Sequence, residues 1–106
     1  YITNTPESKV GVYSTAGALL REIGERGTSP GEFLVPLGIA IDGPVLYVAD
    51  DANNRVQKLT LSGEPRAEFY SESPYDDVDA GPQGVVVRGP YVVVLFRGGI
   101  ATYRYY

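Results

Sequence analysis

The chain has 106 residues and a formal net charge of −4, with nine basic residues against thirteen acidic ones and neither cysteine nor histidine. This length allows one domain, and the lack of Cys and His excludes disulfides, thiolate or imidazole zinc sites and the commonest general base. No basic stripe could neutralise phosphates and no apolar run reaches the ~18 residues of a membrane span, so we expect neither nucleic-acid binding nor membrane insertion.

The first predicted elements are three short strands within residues 1–24, and the third of them is ambiguous. In the segment GALLREIGERG, residues 17–27, the side chains of Leu19, Leu20 and Ile23 would share one face of a helical turn. The corresponding segment further along the chain, GEPRAEFYSE, contains a proline and aromatic residues, which are typical of a strand. We therefore predict a strand in both places.

Residues 36–70 contain a complete unit of four strands that are rich in valine, isoleucine, leucine and tyrosine. Turn-forming residues separate these runs: Gly43-Pro44 follows the first strand and Ser62-Gly63 follows the third. The predicted strands are Gly38–Asp42, Leu46–Ala49, Arg55–Leu61 and Arg66–Tyr70.

The chain repeats itself with a period of 46 residues. PLGIAIDGPVLYV at 36–48 corresponds to PQGVVVRGPYVVV at 82–94, and YVADDANNRVQKLTLSG at 47–63 corresponds to YITNTPESKVGVYSTAG at 1–17. A period in the forties with four strands per unit is typical of a β-propeller blade. We therefore predict an all-β chain of four-stranded antiparallel blades, with about ten strands in three sheets. The blade copies lie at approximately 1–24, 36–70 and 82–106.

The first and third copies are incomplete, since each supplies three of the four strands. Closed propellers generally have about four to eight blades, so three blades form only an open arc. The chain is therefore either a piece of a longer propeller or a subunit that associates with other copies, and the absence of methionine indicates processing or a fragment. Between the sheets we expect six apolar side chains: Ile39, Ile41, Val48, Val56, Val85 and Val87.

The stretch 30–63 carries several motif elements in a fixed order. They are Gly31-x-Phe33-x-x-Pro36-x-Gly38-Ile39-Ala40-Ile41-Asp42, then Tyr47-Val48-Ala49-Asp50, then Asn53-Asn54-Arg55-Val56. These elements resemble the NHL repeat family, which implies a propeller of about six blades whose loops and faces mostly bind protein partners. The first copy has Thr3-Asn4 and Ser8-Lys9 in place of Ala-Asp and Asn-Arg, and the third has Arg88 in place of the first strand's aspartate. A function that needs identical sites on every blade is therefore disfavoured.

A polar cluster lies between the second and third strands of the complete unit. We call it the polar knot, and it consists of Asp50, Asn53, Asn54 and Arg55. Asparagine tolerates left-handed backbone and bonds to nearby backbone groups. We predict that Asp50 clamps this hairpin through Arg55 or through the backbone amides of residues 52–55. The alternative is a ligand or metal contact on one face of the propeller. The residues of the predicted clamp are Asp50, Asn53, Asn54 and Arg55.

Two further segments carry candidate residues. The acidic loop SESPYDDVDAGP at 71–82 could gather oxygens for Ca²⁺, but its spacing fails the EF-hand template, so we interpret it as a solvated loop. In the tail ATYRYY the tyrosines alternate between two faces, which suits either an interface or packing on a neighbouring blade. The candidate interface residues are Tyr75, Tyr103, Tyr105 and Tyr106.

Three functions are compatible with these features. We expect a non-catalytic protein-interaction or scaffold module, without metal or cofactor, that binds protein partners or copies of itself. The alternative is a structural subunit that assembles into a closed ring or a filament. A propeller enzyme of the lyase or lactonase type is less favoured, because such enzymes use metal sites of His or acidic residues around a central channel, whereas the acidic residues here lie mostly in turns. We expect an extracellular or cell-surface location.

Overall fold

The computed structural model describes residues 1–70, 81–96 and 99–104, and this part of the chain consists of antiparallel strands joined by turns. One turn of 3₁₀ helix, Asp51–Asn53, lies between the fifth and sixth strands. Within the described residues, no helix is long and apolar enough to cross a membrane. The strands are β1 (Ile2–Asn4), β2 (Lys9–Tyr13), β3 (Leu19–Ile23), β4 (Pro36–Asp42), β5 (Val45–Asp50), β6 (Arg55–Thr60), β7 (Pro65–Tyr70), β8 (Gly84–Arg88), β9 (Tyr91–Phe96) and β10 (Gly99–Arg104).

The strands form three sheets, and every strand pairs with its neighbour in sequence. The first sheet has the order β1-β2-β3, the second β4-β5-β6-β7 and the third β10-β9-β8. The chain thus finishes one small antiparallel sheet before it begins the next, as successive propeller blades do. The predicted all-β fold with an open row of three sheets is confirmed.

The ambiguous segment 17–27 contains a strand and not a helix. Strand β3 pairs with β2 in an antiparallel register that sets Val10 opposite Ile23. Both of these side chains are buried, because the second sheet covers this face of the first one. The comparison of the chain with itself therefore led to the correct interpretation of the segment.

The core consists of two apolar layers, one on each side of the second sheet. The layer between the first and second sheets contains Val10, Val12, Ile23, Phe33, Leu46, Val48 and Leu59. The layer between the second and third sheets contains Tyr47, Ala49, Val56, Val85, Val92, Val94 and Phe96. Successive residues of β5 alternate between the two layers, as the period of two along a strand requires.

Five of the six predicted core residues lie in or against these layers. Val48, Val56 and Val85 are buried, while Ile39 and Val87 are partly buried and pack against the layers. The prediction for Ile41 is wrong, since 48% of this side chain is exposed. The first sheet bonds to the opposite end of β4, through the carbonyls of residues 36 and 37, and Ile41 lies beyond that contact beside the 43–44 turn.

The repeat is also visible in the backbone conformation. Ser8 and Asn54 are separated by 46 positions, and both adopt the left-handed conformation, with φ of 58° and 51°. Each residue ends the turn of a hairpin, the β1–β2 hairpin for Ser8 and the β5–β6 hairpin for Asn54. The two hairpins therefore reverse the chain in the same way although their sequences differ.

Two repeated glycines lie where the first strands of neighbouring sheets, β4 and β8, come closest. A Cβ atom on Gly38 would lie 2.6 Å from the Cα of Gly84 and 2.8 Å from the carbonyl oxygen of Gln83. Among the described residues, the atoms nearest to a Cβ atom on Gly84 would be those of the Leu95 side chain, the first of them at 3.4 Å. The close approach of the second and third sheets therefore requires glycine at position 38.

Candidate functional site

The polar knot lies at the end of the second sheet, where the chain arrives from the first sheet through residues 24–35, which we call the connecting loop. Asp50 and Arg55 are directly opposite each other in the β5–β6 ladder, so their side chains share one face of the sheet. Both are buried, with 0% and 2% of their surface exposed. Charged groups so far from water need several polar partners.

The carboxylate of Asp50 accepts hydrogen bonds from its own hairpin and from the connecting loop. Oδ2 accepts from the Asn53 side-chain amide at 2.7 Å and from the backbone N–H of Leu34 at 3.1 Å. Oδ1 accepts from the backbone N–H of Val35 at 2.9 Å. A guanidinium nitrogen of Arg55 lies 3.9 Å from Oδ2 and provides the opposite charge.

Arg55 binds the connecting loop with both terminal nitrogens of its guanidinium. One nitrogen donates to the carbonyl of Thr28 at 2.9 Å and to the carboxylate of Glu68 at 3.0 Å. The other donates to the carbonyls of Ser29 at 3.1 Å and Glu32 at 2.7 Å. The planar fork of arginine suits this arrangement, because its donors point in several fixed directions.

Gln57 belongs to the same site, and the sequence interpretation missed it. Its side-chain amide donates to the carbonyl of Glu32 at 2.7 Å, and its oxygen accepts from the N–H of Gly31 at 2.8 Å. Gln57 lies two residues after Arg55 on β6, so the period of two along a strand would have placed it on the same face. Asn53 extends the site with a bond to the carbonyl of Gly27 at 3.0 Å.

The first sheet binds the end of the connecting loop and the start of β4 from the other side. The hydroxyls of Ser8, Thr5 and Thr3 donate to the carbonyls of residues 34, 36 and 37, each at 2.8 Å. The remaining carbonyl, that of residue 35, accepts from the N–H of Asp51 at 3.0 Å. Residues 34–37, which we call the bridging segment, are thus bonded to the hairpins of two successive sheets.

The predicted members of the clamp come together only in part, and the clamp extends beyond its own hairpin. Asp50, Asn53 and Arg55 are in contact, but the backbone amides bound by Asp50 belong to residues 34 and 35 and not to residues 52–55. Asn54 is exposed and contributes its left-handed backbone, with its N–H donating to the carbonyl of Asp51 at 3.1 Å. The sequence could not indicate the loop partners, because backbone groups of any residue type can accept or donate.

The other candidate residues fall partly outside the described chain. Tyr103 is half-buried and its ring stacks on Phe69 of the second sheet, with the ring centres 6.5 Å apart, which is the packing alternative for the tail. The remaining tyrosines (Tyr75, Tyr105 and Tyr106) and the acidic residues of the 71–80 loop lie outside the described residues. In the part that is described, no group of three or more Asp, Glu, His or Cys side chains could hold a metal ion.

A groove of about 650 Å³ lies between Arg21 of the first sheet and residues 44–45, 58–62 and 66 of the second. Three cationic side chains, Arg21, Lys58 and Arg66, border its apolar floor. Arg21 is already bonded to the carbonyl of Leu61 at 2.8 Å and to the hydroxyl of Tyr1 at 3.1 Å. This cation therefore links the first sheet to the second.

Exposed apolar side chains gather on the two outermost sheet faces. The first end face is the side of the first sheet that points away from the second, and it presents Ile2, Tyr13 and Leu19 with 59%, 39% and 52% exposure. The second end face is the corresponding outer side of the third sheet. It presents Val86, Tyr91, Leu95 and Ile100. Along β9, these exposed residues alternate with the buried Val92, Val94 and Phe96.

Comparison with known proteins agrees with this architecture. Residues 1–78 match the model of the family DUF5128, described as a 6-bladed beta-propeller. No curated protein matches the chain. The family match supports a β-propeller without singling out the NHL type. Because the match spans well over half of the chain, and the sheets follow one another as propeller blades do, the chain belongs to this family of six-bladed β-propellers.

Proposed function

We propose that the chain is a non-catalytic propeller segment of the NHL repeat type that acts as a protein-interaction or scaffold module at the cell surface or outside the cell. The observation that carries the proposal is that the buried polar side chains and the exposed apolar side chains have different roles. The buried polar residues are engaged in holding the blades together, whereas large apolar residues remain exposed on the end faces.

The polar knot supports a structural role because the carboxylate of Asp50 and both terminal nitrogens of Arg55 are already hydrogen-bonded within the protein. The carboxylate of Asp50 has three hydrogen-bond donors besides the nearby guanidinium, and its exposed fraction is 0%. A general base or nucleophile must reach a substrate, whereas this carboxylate is fully buried and both of its oxygens are hydrogen-bonded. The contacts of Asp50 thus support the clamp and not the alternative of a ligand or metal contact.

The end faces support a binding role because of where the exposed apolar residues are concentrated. Of the nine large apolar side chains that the structure shows as exposed, seven lie on these two faces. Contiguous apolar surface of this kind marks interaction sites, whereas scattered single residues do not. The two exposed large apolar side chains outside these faces are Leu20 and Ile41.

The experiment is site-specific photo-crosslinking, with a photoreactive phenylalanine analogue placed at Tyr91 and Tyr13 in turn. We expect adducts of defined mass from both positions in cells that make the protein. The matched control is Thr15, which is exposed in the β2–β3 turn, outside the strands that form the two faces, and should give none. Adducts at Thr15 as abundant as at Tyr91, or none at either face, would contradict the proposal.

A second measurement tests the non-catalytic part of the proposal. Purified chain is assayed against lactone and ester substrates, and we expect no turnover above that of the Asp50→Asn variant. Turnover that this substitution abolishes, without a loss of folded structure, would establish an enzyme instead.

A further inference from the structure

The groove between the first two sheets concentrates positive charge on a chain that is negative as a whole. The chain has nine basic residues and a formal net charge of −4. Three of the basic side chains, Arg21, Lys58 and Arg66, border this one groove, and the described residues that line it include no acidic one. The local field of the groove therefore favours an anionic ligand.

Arg21 is held in a fixed position while part of its guanidinium stays available. One terminal nitrogen donates to the carbonyl of Leu61 at 2.8 Å and to the hydroxyl of Tyr1 at 3.1 Å. Both acceptors are neutral, so these bonds orient the positive charge without cancelling it. Among the described residues, the other terminal nitrogen has no hydrogen-bond acceptor. An oriented guanidinium of this kind suits a carboxylate, which it binds through charge-assisted hydrogen bonds.

Arg66 extends the concave surface beyond the groove, because it also borders a smaller depression of about 220 Å³. Pro30 and Pro65 contribute apolar surface to this depression. Its acidic residue, Glu68, is paired with Arg55 at 3.0 Å, so the negative charge of Glu68 is offset within the protein. A ligand that contacts both hollows must be elongated, since one exposed cation is common to the two.

We propose that the groove binds an acidic peptide segment of a partner protein, in which carboxylates flank apolar side chains. The carboxylates bind the cations at the border, and the apolar side chains cover the floor, to which Pro44, Val45 and Leu61 contribute. None of the end-face residues lines the groove, so this site is additional to the surfaces on which the proposed function rests.

Other anions match the groove less well. A nucleic acid or a sulfated polysaccharide carries a long run of negative charge, which the net charge of −4 on the chain repels. Inorganic phosphate would leave the apolar floor exposed to water. An acidic peptide combines carboxylates with apolar side chains, and its extended form has the elongated shape that the two hollows require.

The first experiment is an NMR titration of the isotope-labelled 106-residue chain with a short blocked peptide in which glutamates flank a pair of leucines. We expect saturable shifts of the backbone amides of Thr60, Leu61 and Ser62, which line the groove. The amides of β9 in the third sheet should not shift. The absence of shifts, or shifts confined to β9, would overturn the proposal.

Three further titrants distinguish the classes of ligand. The same peptide with glutamine in place of glutamate should bind at least about tenfold more weakly, because its charge-assisted bonds are lost. Octanoate and a heparin-derived oligosaccharide should each bind more weakly than the acidic peptide. Equal binding of the neutral peptide would overturn the role of the cations. Equal or tighter binding of octanoate would assign the groove to a small amphiphilic acid, and that of the oligosaccharide to a sulfated glycan; either result would overturn the peptide.

Two charge reversals, Arg66→Glu and Arg88→Glu, test the site with the same change in net charge. Both arginines are exposed, but Arg88 lies on β8 of the third sheet and does not line the groove. We expect Arg66→Glu to weaken binding of the acidic peptide by at least about fivefold, since it replaces an attraction by a repulsion. Arg88→Glu should change the affinity by less than about twofold.

Equal weakening by the two reversals would show an effect of net charge alone and would overturn the groove as the site. Unchanged binding by Arg66→Glu would overturn it as well. Among the described residues, the side chain of Arg66 has no hydrogen bond or ion pair, so its replacement should leave the fold intact. Far-UV circular dichroism verifies that both variants are folded.

The crosslinkers at Tyr91 and Tyr13 separate failure of this inference from failure of the proposed function. Both positions lie outside the groove, so Arg66→Glu should leave their adducts unchanged. Adducts at the end faces without any binding of the acidic peptide would overturn the groove and keep the proposed function. Binding of the peptide without adducts at either end face would support the groove and contradict the assignment of the end faces.

Discussion

Asp50 has two structural tasks, because its carboxylate joins a hairpin to a loop that precedes it by 15 and 16 residues. Removal of a carboxylate from water is costly, and three hydrogen bonds and a cation offset the cost here. Its partners in the hairpin are Asn53 and Arg55, and its partners in the loop are backbone amides. Loss of the carboxylate would leave these amides without their acceptor.

We therefore expect Asp50→Ala to lower the free energy of unfolding by about 1–3 kcal/mol, measured by urea denaturation, because buried charge-assisted bonds are lost. Glu7→Ala, at an exposed turn position, is the control and should change stability little. An unchanged stability together with a lost binding activity would instead identify Asp50 as a ligand contact.

Arginine at position 55 cannot be replaced by lysine without loss, since an ammonium group cannot reach three loop carbonyls and a carboxylate in fixed directions. We expect Arg55→Lys to cost about 1–3 kcal/mol in the same measurement. The reverse substitution, Lys9→Arg, lies at the equivalent position of the first sheet and is partly exposed, so it should be close to neutral. Similar effects at both positions would contradict this account of the guanidinium.

The sequence could predict the part of the polar knot that is close in the chain. Asp50, Asn53 and Arg55 lie within six positions, and hairpin geometry brings them together. It could not predict the connecting loop as their partner, because the loop contributes mainly carbonyls and N–H groups, which every residue type has. The sequence could not predict the bonds from the hydroxyls of the first sheet either, because serine and threonine in a turn often bond to local backbone groups instead.

The close contact between strands β4 and β8 depends on glycine at position 38, which has no side chain. Strands β4 and β8 approach so closely there that the neighbouring atoms are backbone, which cannot turn aside as a side chain can. The repeat places Gly84 at the equivalent position of β8, where the neighbour is a flexible leucine. The two glycines therefore occupy equivalent positions of the repeat, but only at position 38 would a side chain collide with backbone atoms.

We expect Gly38→Ala to separate the second and third sheets and to destabilise the protein by about 1–3 kcal/mol, the usual range for a forced insertion into a packed interior. Gly84→Ala should cost distinctly less, because its Cβ would make only an ordinary contact. Thermal unfolding of both variants checks the difference. Equal destabilisation would show that the sheets can shift apart freely.

Strand positions followed well from the sequence because the repeat supplied a second copy of nearly every element. The exception at the level of elements is Ile41, whose apolar character predicted burial. The apolar pattern of β4 is typical of a strand. Whether one of its side chains is buried depends on how far the neighbouring sheet extends, and β1 of that sheet is only three residues long. Alternation within one strand carries no information about the length of its neighbour.

For the molecule as a whole, the bridging segment makes the first two sheets interdependent. The carbonyls of residues 34, 36 and 37 are bonded to hydroxyls of the first sheet, and the N–H groups of Leu34 and Val35 are bonded to the Asp50 carboxylate of the second. Opening either sheet breaks one of these sets and exposes buried polar groups. The two sheets should therefore not unfold separately.

Native-state hydrogen exchange measures this coupling directly. We expect the amides of Leu34 and Val35 to exchange with about the same opening free energy as those of β5, since both require the same cooperative event. In the Asp50→Ala variant the two loop amides should lose more protection than the amides of β9. Fast exchange of Leu34 and Val35 in the parent chain would show that the connecting loop opens independently.

The bridging segment also has a consequence for the order in which a ribosome makes the chain. Ser8, Thr5 and Thr3 are synthesised before residues 34–37, so the donors for the carbonyls of residues 34, 36 and 37 are already present when this segment emerges. Its N–H groups must wait for Asp50, which emerges later. During that interval the N–H groups of Leu34 and Val35 have no protein acceptor from Asp50 and must bond to water. The bridging segment is thus bonded on both sides only after the hairpin of the second sheet has left the exit tunnel.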